Sequence, residues 1–124
     1  MKQKFSISKR IKSFGFAFNG LKILLKEEHN SRIHLLAAVG IVIAGFLFNI
    51  STPEWIAITF AIGLVITLEL INSVIENLSD FISPEKNSSI KKIKDLSAAA
   101  VLVSSITALT IGLIIFIPKI LTLC

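Results

Sequence analysis

Glu69, Asn72, Glu76 and Asp80 are the residues of this sequence whose types and spacing could do chemistry. Their offsets from Glu69 are 3, 7 and 11, so on a helix all four fall on one face. The other positions of that stretch, among them Leu68, Leu70, Ile71, Val74 and Ile75, are apolar. A charge at the centre of a bilayer costs about 2.5–3.5 kcal/mol, so carboxylates in an apolar helix point to function. The stripe is about 16 Å long at 1.5 Å per residue, and Glu69 and Glu76 are about 10.5 Å apart along it. At that separation they cannot share one metal ion. They can work at opposite ends of a reacting group, one holding a metal and the other serving a nucleophile. A second metal-holding carboxylate must then come from Glu27, Glu28, Asp80, Glu85 or Asp95. The blander reading is an inert, hydrogen-bonded seam between subunits.

Other chemistry is thinly represented. Gly15 and Gly20 are not followed by Gly-Lys-Ser/Thr, so no Walker-type phosphate loop is present. His29 and His34 lack the partner spacing of a zinc site and read as interface histidines. Glu28 and Arg32, four residues apart, read as an exposed ion pair. The segment 79–95 carries Pro84, Glu85, Lys86 and Asn87, then Lys91, Lys92, Lys94 and Asp95. A polyphosphate would find cations there; a solvated basic loop explains Lys91 and Lys92 equally well.

The elements that must hold these residues are membrane helices. The chain has 124 residues, 53% of them hydrophobic and 17% charged. Its mean hydropathy is +0.80, too apolar for a soluble domain of this size. One domain is expected over 1–124: an all-α integral membrane protein with spans at 33–48, 55–78 and 96–117, the last ending at Pro118. No cleavable signal peptide is expected. Lys and Arg number eight in residues 1–32, none in 49–54, four in 79–96 and one beyond the third span. The positive-inside rule therefore places the N-terminus and a 79–95 loop in the cytoplasm. The net charge of +5 is explained by these anchors, and nucleic acid is not expected as a partner. Within 8–26, Ile11, Phe14, Phe18, Leu21 and Leu25 form one apolar stripe after a Ser8 cap, which predicts a surface helix lying in the interface. Phe16 stands off that stripe. Ala100, Ser104, Ala108 and Gly112 recur every four residues, as Gly40 with Ala44 and Ala57 with Ala61 do, which predicts close helix packing and oligomerisation. Cys124 has no intramolecular partner.

The string Glu-Leu-Ile-Asn-Ser-Val-Ile-Glu at 69–76, then Asp80, then Lys94-Asp95 with Ala98-Ala99-Ala100-Val101-Leu102, resembles the prokaryotic diacylglycerol kinase family, which includes undecaprenol kinase. The resemblance covers about residues 9–117. It implies a homotrimer of three-span subunits, each with an N-terminal amphipathic surface helix, in the bacterial inner membrane. It implies transfer of the ATP γ-phosphate to a lipid hydroxyl (diacylglycerol to phosphatidic acid, or undecaprenol in the other branch), with Mg2+. Matched residue by residue, Glu69 and Asn72 are implied as catalytic, and Glu28 and Glu76 as the metal-holding carboxylates. Phe16, Glu28, Glu76, Glu85, Lys86, Asn87, Lys94 and Asp95 are implied at the nucleotide. Lys9, Arg10, Glu69, Ser97 and Ala98 are implied at the lipid substrate. Lys9 stands where the family has Arg, and Phe16 where it has Tyr. The Glu28-x-Asn30-x-Arg32-Ile33-His34 string looks more like the undecaprenol kinase branch.

Two readings from other classes compete. A small ion or proton transporter subunit would use the stripe as a relay, but from Trp55 to Leu68 only Thr59 and Thr67 would continue it. In a non-catalytic assembly protein, Glu28 and the Lys94–Asp95 pair would be idle.

Overall fold

A computed structural model describes residues 4–85 and 87–124. Four helices make up the secondary structure of the described residues: α1 Ile7–Glu27, α2 His29–Leu47, α3 Thr52–Ile82 and α4 Ser88–Leu121. The last three are long and apolar enough to cross a membrane. At 1.5 Å per residue α2 is about 28 Å long, close to the hydrocarbon thickness, whereas α3 and α4 reach about 46 and 51 Å.

The helices are longer than hydropathy alone delimits. α1 is capped by Ser6 rather than Ser8; the Ser6 hydroxyl accepts from Lys9 N at 3.4 Å. α2 begins at His29, four residues before the expected span. α3 starts in a capping box, with the Ser51 hydroxyl taking the Glu54 N–H and the Glu54 carboxylate taking the Ser51 N–H. Most of the expected 79–95 loop is helix, and only Ser83–Asn87 connects α3 to α4. The Asn87 side chain caps α4 by accepting from Ile90 N at 2.8 Å, and Lys91 pairs with Asp95 one turn on at 2.6 Å. Hydropathy finds the apolar part of a helix; caps and i,i+4 pairs carry the backbone ladder on past it. Pro118 likewise does not end α4, which continues to Leu121. The missing N–H costs one ladder bond, and Thr122 N then closes onto Pro118 O at 3.2 Å.

The α2–α3 turn is a tight lock. Asn49 adopts φ 51°, the left-handed conformation that Asn tolerates. Its N–H bonds to Phe46 O and that of Ile50 to Gly45 O, the paired bonds of a Schellman ending. Ile50 then folds under the turn and packs with Ile58, Ile115 and Phe116, the buried core of the molecule. Trp55 lies 4.9 Å from the Phe46 ring and directly over Gly45. At the same end Lys119 of α4 reaches Glu54 of α3 at 2.7 Å.

From there α3 and α4 run antiparallel as the main packed pair, α2 lies along α3, and α1 is anchored near its end by buried Leu24. Of the small-residue row of α4, Ser104 is buried, Ala100 is exposed, and Ala108 and Gly112 line an apolar cavity of about 590 Å³ between α2, α3 and α4. Large apolar side chains such as Phe60, Val74, Leu102 and Leu109 remain exposed along the spans, as a lipid-facing surface requires. Ile11, Phe14 and Phe18 of α1 are uncovered as well.

Gly45 is where a side chain cannot be added cheaply. A Cβ there would stand 2.6 and 2.9 Å from two atoms of the Trp55 indole. Gly45→Ala is expected to lose about 1–3 kcal/mol of stability, the usual cost of overpacking. Thermal unfolding in detergent checks this, and the double variant Gly45→Ala/Trp55→Phe should recover part of the loss. An unchanged melting temperature for Gly45→Ala would show that the turn is not locked by this contact.

Candidate active site

The polar face of α3 is covered turn by turn by different partners. Glu69, 5% exposed, faces α2, where Ser31 Oγ donates to its Oε2 and His34 Nδ1 meets its Oε1. Asn72 faces α4, and buried Ser97 donates to its Oδ1 at 2.6 Å. Glu76 faces the corner between α1 and α2, where Glu28 lies. Asp80 meets Lys94 of α4 at 2.6 Å.

Glu28 owes its position to a break of one residue. It is the only residue between α1 and α2, and its backbone is extended (φ −111°, ψ 111°). Its N–H closes α1 on Leu24 O at 2.9 Å, but its side chain makes no capping bond to α2 and is left free for the site. Burial, and then the charge and hydrogen bonding of Glu76, raise the Glu28 carboxyl above the usual range. Arg32 does not pair with Glu28 as the spacing suggested. Its guanidinium turns back to the end of α1, giving Nε to Leu25 O at 2.5 Å and Nη2 to Lys26 O at 2.8 Å. The last carbonyls of a helix have no partners of their own, and a guanidinium satisfies two at once. Glu28 and Glu76 thus face each other, and neither is in an ion pair among the described residues.

Two hard oxygen donors outside the ion pairs of the described residues fit magnesium, which takes one or two carboxylates and fills its remaining positions with water and phosphate oxygens. Among the described residues no group of three or more His, Cys, Asp or Glu is placed to hold an ion. Two carboxylates alone are fewer donors than a complete cation site made by protein has.

Beyond Glu76, a cavity of about 470 Å³ lies around the α3–α4 connection. It is lined in part by Asp80, Glu85, Asn87, Lys91, Lys94 and Asp95. Four residues expected at the nucleotide, Glu85, Asn87, Lys94 and Asp95, are thus brought together. Lys86 lies outside the described residues. Phe16 is not brought to the stripe; it is 75% exposed on α1. Lys9 and Arg10 are exposed in the first turn of α1, where the Arg10 guanidinium lies 5.8 Å from the Phe5 ring centre. Ala98 is exposed beside buried Ser97.

Ser31 and His34 were not legible as partners of Glu69. A signal existed: they stand three apart, on one face of α2, in a stretch of α2 that is otherwise apolar after Arg32. Spacing shows that face without showing what it meets. His34 is accordingly not an interface histidine but a partner of the deepest carboxylate.

Residues 15–116 match the family described as prokaryotic diacylglycerol kinase. The undecaprenol kinase of Bacillus subtilis is 37% identical over 113 residues, which cover 91% of this chain and 92% of that one. The diacylglycerol kinase of Synechocystis is 30% identical over 90% of this chain, which spans 64% of the relative's length. A Helicobacter pylori diacylglycerol kinase is 36% identical over 77% of this chain and 74% of its own. The chain belongs to the prokaryotic diacylglycerol kinase family, and it is a membrane-embedded enzyme of the lipid-kinase type.

Proposed function

We propose that the protein transfers the γ-phosphoryl group of ATP to the hydroxyl of a membrane lipid at the cytoplasmic face of the bacterial inner membrane. The observation that carries this reading is the division of the carboxylates. Glu69 is buried and held by hydrogen bonds, while Glu28 and Glu76 form an uncompensated pair nearer the polar cavity. A lipid alcohol is a poor nucleophile at neutral pH and benefits from a positioned base. In this reading the lipid hydroxyl approaches Glu69 from the membrane. A bond forms between its oxygen and the γ-phosphorus, the bond from that phosphorus to the bridging oxygen of ADP breaks, and the hydroxyl proton passes to the Glu69 carboxylate.

Glu28 and Glu76 would hold Mg2+, which when bound supplies neutralisation of phosphate charge. Asn72, fixed by Ser97, orients groups between the base and the metal-holding pair. Lys94 and Asp95, with Glu85, Lys86 and Asn87 on the connection, take the nucleotide. Lys9, Arg10, Phe16 and Ala98 are proposed contacts from α1 and α4. α1 lies in the interface with its uncovered apolar stripe in lipid, the N-terminus is cytoplasmic, and the enzyme is a homotrimer. A transporter relay is disfavoured, because above Glu69 the Thr59 hydroxyl is spent on Trp55 O at 2.8 Å and Ile58, Ala61 and Val65 fill the buried face.

For the lipid, the near full-length match to the Bacillus undecaprenol kinase supports undecaprenol. Diacylglycerol is the second reading, supported by the relatives that carry that name. A radiolabelled-ATP assay of the purified protein with the two lipids side by side decides between them; labelling of neither, with magnesium present, would sink the kinase reading.

Glu76→Gln removes a charge from the metal-holding pair and is expected to weaken Mg-ATP binding. Glu69→Gln keeps shape but cannot accept a proton, and should lower turnover by about 10²–10⁴-fold while Mg-ATP still binds. Nucleotide affinity and single-turnover rates measured on both variants check the division; a Glu69→Gln variant that fails only because nucleotide no longer binds contradicts it. The homotrimer is expected to appear by light scattering in detergent, and a fully active monomer would refute it.

A further inference from the structure

We infer that His34 is the positioning residue for Glu69, holding the carboxylate in one orientation through a hydrogen bond from its Nδ1. This rests on the reading of Glu69 as the base. A buried ionised carboxylate needs donors, because water is not there to supply them. The chain supplies one to each oxygen: Ser31 Oγ to Oε2 and His34 Nδ1 to Oε1. An ionised carboxylate only accepts, so the Nδ1 position must carry the proton and the imidazole is in that tautomer or is fully protonated. Two bonds to the two oxygens fix the rotation of the carboxylate plane, which a single bond would leave free. The lone pairs left over are then presented in a fixed direction for the proton of an incoming hydroxyl.

Among the residues that line the cavity beside His34, none can replace it. It lines the apolar cavity between α2 and α4 together with Ala37, Ala38, Ile41 and Ala108. The remaining hydroxyl of that lining, Ser105, is committed to Val101 O at 2.9 Å. Removing the imidazole therefore leaves Oε1 facing apolar side chains.

The test is made on the full-length chain in lipid nanodiscs, with the lipid alcohol that the wild-type protein phosphorylates best. His34→Ala is expected to lower kcat by about 10–100-fold, the usual range for a partner one step behind the reacting group, with the KM for Mg-ATP unchanged. His34→Asn carries an amide N–H on the same carbon, Cγ, that bears Nδ1, and should recover most of the rate. His34→Gln, whose amide sits one bond further out, should recover less. In the Glu69→Gln background, His34→Ala should cost nothing more, because the two act as a unit. The inference is overturned if His34→Ala turns over at the wild-type rate, if Gln rescues as well as Asn, or if the Ala variant costs the same factor with and without Glu69. Full activity of Glu69→Gln would instead sink the base itself, and a slow Glu69→Gln beside a fully active His34→Ala would sink the positioning role alone.

Discussion

A carboxylate placed in an apolar helix cannot be left without donors, and that constraint organises the inner half of this molecule. Glu69 lies where neither water nor its own helix can serve it. An α-helix commits its interior backbone N–H groups to its own ladder, so they cannot donate to this carboxylate. The donors must come from another helix, and they do: Ser31 and His34 bind α2 to α3 at the one level where α2 has polar side chains to give. The same demand repeats along the stripe with other partners, Ser97 for Asn72 and Lys94 for Asp80. α3 is thus the helix that all others must touch, and the polar contacts fix its rotation relative to α2 and α4. Glu28 and Glu76 are the exception. They face each other, and among the described residues neither is in an ion pair.

The two ends of the bundle divide their tasks. At the α2–α3 turn, Ile50, Ile58, Ile115 and Phe116 form the core, Trp55 closes over Gly45, and Glu54 pairs with Lys119. The contacts there are apolar, and the charges of Glu54 and Lys119 are matched. At the other end the chain passes from α1 to α2 at Glu28, and the apolar core gives way to paired side chains and a cavity. Packing at one end holds the antiparallel register, and that register places Glu69 opposite Ser31 and Asp80 opposite Lys94 at the other.

Much of this was readable from spacing. Three spans and a polar face on the second follow from periodicity and charge placement. Helix ends were less legible. Residues 79–82 and 88–95 interleave polar and charged residues with Phe81, Ile82, Ile90 and Ile93, so no continuous apolar run marks them, although Asn87 and the Lys91–Asp95 pair are ordinary helix signals. Partners were least legible. Glu28 and Arg32 have the spacing of an ion pair, yet the unmet carbonyls of α1 take the guanidinium. The partners of Glu69 lie 35 and 38 residues away on another helix, and helical periodicity carries no information about which faces meet.

The depth of Glu69 also constrains how the proposed reaction is assembled. Glu69 lies two turns, about 10 Å, deeper than Glu76 along α3. A nucleotide polyphosphate is too strongly charged to enter the apolar level, so in this reading its charge stays at the level of Glu28 and Glu76 and of the cations at the α3–α4 connection. The lipid alcohol arrives from the other side, its chain in hydrocarbon and its hydroxyl at the lower limit of the polar region. The two reactants then meet along the stripe, between Glu69 and Glu76, where Asn72 is the residue in between. A base at the level of Glu76 would be open to water, which competes for the phosphoryl group. A base buried at Glu69 instead favours the nucleophile that the membrane itself delivers, so burial that is costly for the fold becomes selectivity for a lipid over water.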